Sequence, residues 1–394
     1  MNSFKEIKLK DCLINGLKKD NIIEPRKIQS QMIEIFMEGK DIIAQSKTGS
    51  GKTLAYLLPI INKIEPEEKK LQAIIITPTH ELSVQVNNEI KKLAKNSNLG
   101  IRSSLLIGGV NIKRQVNDLK TKPHIAVGST GRMLELIKLK KLKPHTVKTI
   151  VIDEADRMIN NNSIIQTKAL IKTTLRDRQL VMLSATMPKD IVNIATEMMK
   201  EPVLIFVEEN LINKNVNHYY LEVERRDKID MLRKVIRSIN PEKAIVFVNR
   251  NEIIQDVVNK LNFHKLKTVG LYGAQEKLDR QKSIVNFRNG KSNILIASDI
   301  AARGLDIKGI THIINLDLPE KTDEYLHRIG RTGREKEKGT AISLATEYEV
   351  GYLHRIQHEF GIEINLKILY KGNLANKITN KNTNNKSSKR RWNI

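Results

Sequence analysis

Short apolar runs rich in β-branched residues recur along the whole chain, with amphipathic stretches between them. In the first half they are AIIITP (73–78), SSLLIGG (103–109), HIAVGS (124–129), TIVID (149–153), QLVMLSAT (179–186) and VLIFV (203–207). In the second half they are NHYYLEV (217–223), AIVFVN (244–249), TVGLYG (268–273), NILIASD (293–299), HIINLDL (312–318) and TAISLA (340–345). A run that is apolar on both faces suits a parallel strand covered by helices on both sides. The stretches between have helical spacing. In 228–239, Ile229, Leu232, Val235, Ile236 and Ile239 fall on one stripe. Alternating strand and helix predicts an α/β class built on open, mostly parallel sheets.

The pattern occurs twice, and 394 residues leave room for two domains. The reading is a first α/β domain over 1–207, a polar, Asn-rich linker over 208–217 and a second α/β domain over 218–370. Residues 371–394 carry seven Lys or Arg, seven Asn and no acid, and are expected as a basic disordered tail.

Charge narrows the partner. Lys and Arg number 68 against 44 acids, a formal +24, which favours nucleic acid first and an acidic membrane surface second. The single cysteine, Cys12, excludes a disulfide framework and a cysteine-based zinc site. The start, MNSFKEIKLKDC, has no apolar signal region, and charges interrupt every long apolar run. The expectation is a cytoplasmic protein with no membrane span.

The stretch SKTGSGKT (Ser46, Lys47, Thr48, Gly49, Ser50, Gly51, Lys52, Thr53) follows a short apolar run and precedes a helical pattern. Glycines there let backbone N–H groups turn inward around phosphate. Lys52 can reach the β- and γ-phosphates, and the Thr53 hydroxyl can bind Mg²⁺. The following helix N-terminus adds free donors and a favourable dipole. Ser46 stands where the phosphate-loop pattern asks for Gly or Ala. At the end of the run TIVID stand Asp153 and Glu154, with Asp156 two residues on. Two readings of Asp153 are open: a cap for the next helix, or the second Mg²⁺ contact that a phosphate-loop ATPase needs from a neighbouring strand. The phosphate loop favours the second, with Glu154 orienting and deprotonating the attacking water.

With these stretches come PTHELSVQ (78–85), GG (108–109), STGR (129–132), DEAD (153–156), SAT (184–186), FVN (247–249), SDIAARGLD (298–306) and HRIGRTGR (327–334). Their kind and order over residues 4–370 resemble the DEAD-box RNA helicases. The resemblance implies two RecA-like domains with ATP in the cleft between them and RNA lying across both. It implies Lys52, Thr53, Asp153 and Glu154 for ATP and Mg²⁺, Arg331 and Arg334 as arginine fingers from the second domain, and Asp306 at the ribose. Ser184, Ala185 and Thr186 would link nucleotide state to unwinding through Asp156 and His327. Pro78, Thr79, Gly108, Gly109, Gly131, Arg132, Arg280, Ser298 and Asp299 would hold the RNA sugar–phosphate backbone, with little sequence preference. Gly304 matches positions used for both ligands.

Four residues depart from the family pattern. In NIIEPRKIQ (21–29), Gln29 matches the adenine-reading glutamine and Phe4 stands at the expected distance upstream. Ile22 replaces an aromatic and Arg26 a Thr or Ser. His80 replaces an Arg in PTREL, and Thr130 a Pro in TPGR. Gln29 together with Ile22 predicts that ATP is preferred over GTP but bound more weakly than an aromatic at 22 would allow. His80 and Thr130 weaken the expectation of strong RNA binding but leave the ATPase intact. The sequence thus predicts an ATP-dependent RNA helicase that remodels short duplexes; the alternative is an ATP-gated RNA clamp that displaces little.

Overall fold

A computed structural model of the chain describes residues 3–47, 49–159, 163–207, 215–273, 275–302, 307–333 and 337–376. The first domain holds β1 (Ile42–Gln45), β2 (Ala73–Ile76), β3 (Ser103–Leu106), β4 (Ile125–Gly128), β5 (Thr149–Asp153), β6 (Gln179–Ser184) and β7 (Val203–Phe206). They form one seven-stranded sheet in the order β3-β4-β2-β5-β6-β1-β7, and every pairing is parallel.

The second domain holds β8 (Val216–Glu222), β9 (Ala244–Phe247), β10 (Thr268–Leu271), β11 (Ile294–Ala297), β12 (His312–Asn315), β13 (Gly339–Ala345), β14 (Ile364–Tyr370) and β15 (Asn373–Asn376). Its order is β10-β11-β9-β12-β13-β8-β14-β15. Apart from β15 it repeats the first sheet strand for strand, so one architecture is used twice.

Side-chain alternation sends each strand into two cores. Ile42 and Ala44 of β1 pack with the helices Lys27–Met37 and Lys52–Lys63, whereas Ile43 packs on the opposite face with Met133, Leu136 and Leu170. All four residues of β2, β4, β9 and β11 are buried. Each buried Ile, Leu or Val contributes about 1.5–3 kcal/mol, which is how a chain poor in aromatics fills its cores. Gly128 ends β4 because a Cβ there would lie 1.8 Å from the Leu106 carbonyl oxygen of β3.

Two boundaries differ from the sequence reading. Val216 and Asn217, read as linker, already belong to β8, which pairs with β13 from its first residue; residues 208–214 lie outside the described residues. Within the segment read as tail, β15 pairs antiparallel with β14, and the Ser238 hydroxyl accepts from Leu374 N at 3.1 Å. Residues 377–394 lie outside the described residues. Among the described residues no helix is long and apolar enough to cross a membrane.

Candidate nucleotide and RNA site

In a parallel sheet every strand points the same way, so the loops that leave the carboxyl ends share one edge. The sheet order splits that edge in two. Loops after β1, β5 and β6 lie together on one side, and loops after β2, β4 and β3 on the other.

On the first side, Gln45 sits opposite Ser184 and Asp153 opposite Leu183. Ser46 N donates to the Ser184 carbonyl at 3.1 Å. Gly49 and Gly51 take φ of +79° and +95°, and a Cβ on Gly51 would lie 2.5 Å from Gln29 Nε2. The helix Lys52–Lys63 begins at this point, so its first N–H groups face the loop. Lys52 Nζ donates to the carbonyls of Ser46 and Lys47, the second at 2.8 Å. Burial lowers its pKa, with Arg331 of the second domain acting the same way, against the pull of Asp153, Glu154 and Asp156. Thr48 lies outside the described residues.

Asp153 is buried at the end of β5. Its Oδ2 accepts from the Tyr56 hydroxyl at 3.0 Å and its Oδ1 from Glu154 N at 2.9 Å. Burial and the neighbouring Glu154 push its pKa up to about 6, with Lys52 opposing. The helix-cap reading of Asp153 is not what the fold does. The next helix, Ala155–Met158, is preceded by Glu154 in a left-handed conformation, and no side chain caps it.

Asp156 joins the two domains. Its Oδ2 accepts from Thr186 Oγ1 at 3.1 Å and lies 3.8 Å from His327 Nε2. Arg157 Nη2 donates to His327 Nδ1 at 3.0 Å. Arginine can only donate, so Nδ1 uses its lone pair and the ring proton sits on Nε2, facing Asp156. Among the described residues Ser184 Oγ, Asp156 Oδ1, Ser46 Oγ and Ser50 Oγ are buried with no hydrogen-bond partner, whereas Glu154 Oε2 lies 3.2 Å from Arg157 Nη1 in an ion pair.

At the far end, Gln29 is buried and committed to backbone. Its Oε1 accepts from Arg26 N at 2.9 Å and its Nε2 donates to the Gly51 carbonyl at 3.1 Å. The Arg26 guanidinium donates to the Gly49 carbonyl at 2.5 Å. A cleft of about 690 Å³ runs from Ile22, Arg26 and Gln29 past Lys52, Thr53, Asp153 and Glu154 to Ser184, Ala185, His327 and Arg331. Phe4 is not brought there; it is 2% exposed within the first domain's core. Gly304, Asp306 and Arg334 lie outside the described residues.

On the other half of the edge, Pro78 and Thr79 leave β2, Gly108 and Gly109 follow β3, and Thr130 and Gly131 follow β4. The Thr79 hydroxyl accepts from Leu82 N and caps the helix His80–Asn96. His80 lies over the glycine pair, its ring atoms 3.7–3.8 Å from where their Cβ atoms would be. The three charged residues expected at RNA are engaged within the protein. Arg132 donates to the Val110 carbonyl at 3.0 Å and pairs with Glu135 at 2.9 Å. Arg280 Nε donates to Glu81 of the first domain at 2.7 Å, while Nη2 also donates to the Ala301 carbonyl at 3.1 Å. Asp299 accepts from Arg328 through both oxygens, at 2.7 and 2.6 Å. Ser298 is buried, and its Oγ has no hydrogen-bond partner among the described residues.

The residues that sequence reasoning missed are the partners in these pairs. Arg328 is 1% exposed and spends its donors on Asp299, Asn315, Asn249 and the Asp317 carbonyl, with its guanidinium 4.9 Å from the Phe247 ring centre. Glu81 and Arg328 stand inside stretches already singled out; for Tyr56 and Arg157 no local signal exists.

Two RecA-type sheets, a phosphate loop at one carboxyl edge and a second domain closing over it define a helicase core. The DEAD/DEAH box helicase family matches residues 26–194, and the helicase conserved C-terminal domain matches 227–336. The chain is 43% identical to the DEAD-box ATP-dependent RNA helicase CshC of Bacillus cereus over 352 residues, 89% of this chain and 90% of that one. It is 38% identical to the ATP-dependent RNA helicase CshA of Limosilactobacillus reuteri over 355 residues, 90% of this chain and 71% of that one. The chain belongs to the DEAD-box ATP-dependent RNA helicases and is an RNA-stimulated ATPase by that membership. In three dimensions it resembles S. cerevisiae Dbp5 bound to RNA and ADP BeF3, with a TM-score of 0.85, 29% identity and 93% and 95% of the two chains covered. A DEAD box protein from Methanococcus jannaschii, 31% identical with 93% and 99% covered, superposes with a TM-score of 0.55.

Proposed function

We propose that the chain hydrolyses ATP with Mg²⁺ in the interdomain cleft and that closure of the two domains on RNA locally separates short duplexes. The observation that carries this is the Asp156 junction, where a first-domain carboxylate meets Thr186 of its own domain and His327 of the other. The domain arrangement, nearer to that of Dbp5 bound to RNA than to that of the Methanococcus jannaschii protein, supports a closed form.

The residues present fit Mg²⁺ and a triphosphate. Four buried hydroxyl and carboxylate oxygens in and beside the cleft lack a hydrogen-bond partner among the described residues: Ser46 Oγ, Ser50 Oγ, Ser184 Oγ and Asp156 Oδ1. Among the described residues no cluster of three or more ligating side chains could hold a metal by itself. That suits an ion held by one or two side chains together with nucleotide phosphates. Thr53 and Asp153 would hold it, and the ion would neutralise charge on the phosphates. Lys52 and the loop N–H groups bind phosphate oxygens, Glu154 orients and deprotonates the water, and Arg331 stabilises charge on the transferred group. Gln29 reads adenine with the capacity its two backbone bonds leave free. Ile22 offers an apolar surface without aromatic stacking.

RNA backbone lies along Pro78, Thr79, Gly108, Gly109, Gly131 and Ser298, where close backbone approach and N–H donors suit phosphate. Arg280 and Asp299 belong to the framework of that groove rather than to its contacts. The compartment that fits this activity is the cytoplasm. Lys52→Ala tests the site: RNA-stimulated ATP hydrolysis is expected to vanish while the fold persists, and retained turnover refutes the assignment. Strand displacement of a short duplex separates the helicase from a clamp that binds RNA with ATP and releases nothing.

A further inference from the structure

The amino-terminal edge of the first sheet faces away from the nucleotide and RNA site, and it carries a concentration of charge that neither ligand uses. Residues 117–123 and 136–148 contain seven lysines and one carboxylate, Asp118. Both segments lie at this edge, one leading into β4 and the other into β5. They lie on the same face, because Leu119, Leu136 and Leu142 pack into one core. A third segment joins them. The helix Ser163–Lys172 packs into that core through Leu170 and Ile171 and ends in exposed Lys172.

Lys120, Lys122, Lys138, Lys140, Lys141, Lys143 and Lys172 are exposed, and none forms an ion pair among the described residues. Lys148 alone is neutralised, by Asp177 at 2.7 Å. The plain explanation is dipole compensation, since the helices Ile112–Leu119, Thr130–Lys138 and Ser163–Lys172 all end here. One cation per helix end answers that need. Four lysines within 138–143, in KLKKLK, exceed it. Unpaired like charges at this density repel one another unless a polyanion or its counterions lie over them. Leu139, 52% exposed among these lysines, adds an apolar contact.

We propose that this edge is a second RNA-binding surface that holds the flanking, structured part of a substrate while the carboxyl edge works on a short stretch. RNA is the polyanion the enzyme already engages. A surface of exposed lysines suits phosphate contacts without base reading. The inference rests on the helicase reading only for the identity of the polymer.

The test compares wild type with Lys138→Gln/Lys140→Gln/Lys141→Gln/Lys143→Gln on two RNAs: a single strand just long enough to fill the catalytic groove, and the same strand joined to a hairpin. Affinity for the joined RNA is expected to fall about tenfold, and its slope of log affinity against log salt to shrink by about two to three. Affinity for the short strand and ATPase at saturating short strand are expected to stay at wild-type values. Unchanged affinity and slope on the joined RNA overturn the proposal, and so does an equal loss on both RNAs. Wild-type RNA binding combined with lost binding to phosphatidylserine vesicles overturns it in favour of a lipid surface. Failure of the helicase reading itself would show separately, as no RNA-stimulated ATPase in wild type.

Discussion

Arg280 and Glu81 stand 199 positions apart in the chain and form an ion pair, 2.7 Å from Nε to the carboxylate, that bridges the two domains. Both side chains are largely screened from solvent. In the closure proposed above, the pair holds only while the domains are this close and so stabilises the closed form. Glu81→Arg is expected to lower RNA-stimulated ATP hydrolysis about tenfold, as is Arg280→Glu, in line with loss of a partly buried charge pair. The double swap is expected to recover much of the loss. Steady-state turnover at saturating RNA decides it: without recovery in the double variant, Arg280 acts on RNA and not on Glu81.

Arg26 holds the Gly49 carbonyl outward, as Gln29 holds that of Gly51. A phosphate loop works when its carbonyls face away and its N–H groups face in. Arg26→Thr, which installs the family residue, is expected to weaken ADP and tripolyphosphate alike by about fivefold, near 1 kcal/mol for one exposed hydrogen bond. Calorimetric titration of both ligands tests this. A loss confined to ADP would assign Arg26 to the base instead.

Arg331 reaches the nucleotide cleft from the second domain and lies close enough to Lys52 to depress its pKa. Arg331→Ala is expected to lower kcat by roughly 10³-fold, the scale of an arginine finger, while ADP affinity of the free protein changes little. Single-turnover hydrolysis with RNA present is the measurement. A variant that hydrolyses at the wild-type rate removes the finger assignment.

His218 is buried in the second domain, where its Nδ1 lies 3.2 Å from the Tyr325 hydroxyl, and desolvation lowers its pKa to about 4 from 6.5. The unfolded chain therefore binds a proton between those values that the folded chain refuses. Stability is full above pH 6.5 and is lost as pH falls toward 4, by about 3 kcal/mol at the end of that window. Thermal melts across the window check the slope. His218→Asn is expected to flatten it, and an equally steep melt profile in the variant would assign the effect elsewhere.

The sheets were readable because parallel strands are apolar on both faces, and each of the twelve runs singled out in the sequence overlaps an observed strand, β8 and β13 beginning one residue earlier. Ile364–Tyr370, with a mixed burial pattern, and the edge strand Asn373–Asn376 escaped because neither is apolar on both faces; NLAN reads as a polar tail until it pairs with β14. Lys52 and Asp153 were legible because local spacing places them at a helix start and a strand end, whereas His327 came only from the family resemblance. Their partners were not legible. Tyr56 meets Asp153, and Arg328 meets Asp299, only after the chain has folded, and no window of sequence holds both members. The expectation for Phe4 rests on its distance upstream of Gln29; in the fold its ring is 2% exposed and packs in the first domain's core.

The fully engaged Arg328 bears on what can move. It ties the ends of β9, β11 and β12 to the helix that carries His327, leaving no slack in that half of the site. His327 and Arg331 therefore cannot be withdrawn one at a time. In the opening that the proposed mechanism requires, they would leave together with their whole domain, turning a graded stimulus at the cleft into an all-or-none displacement.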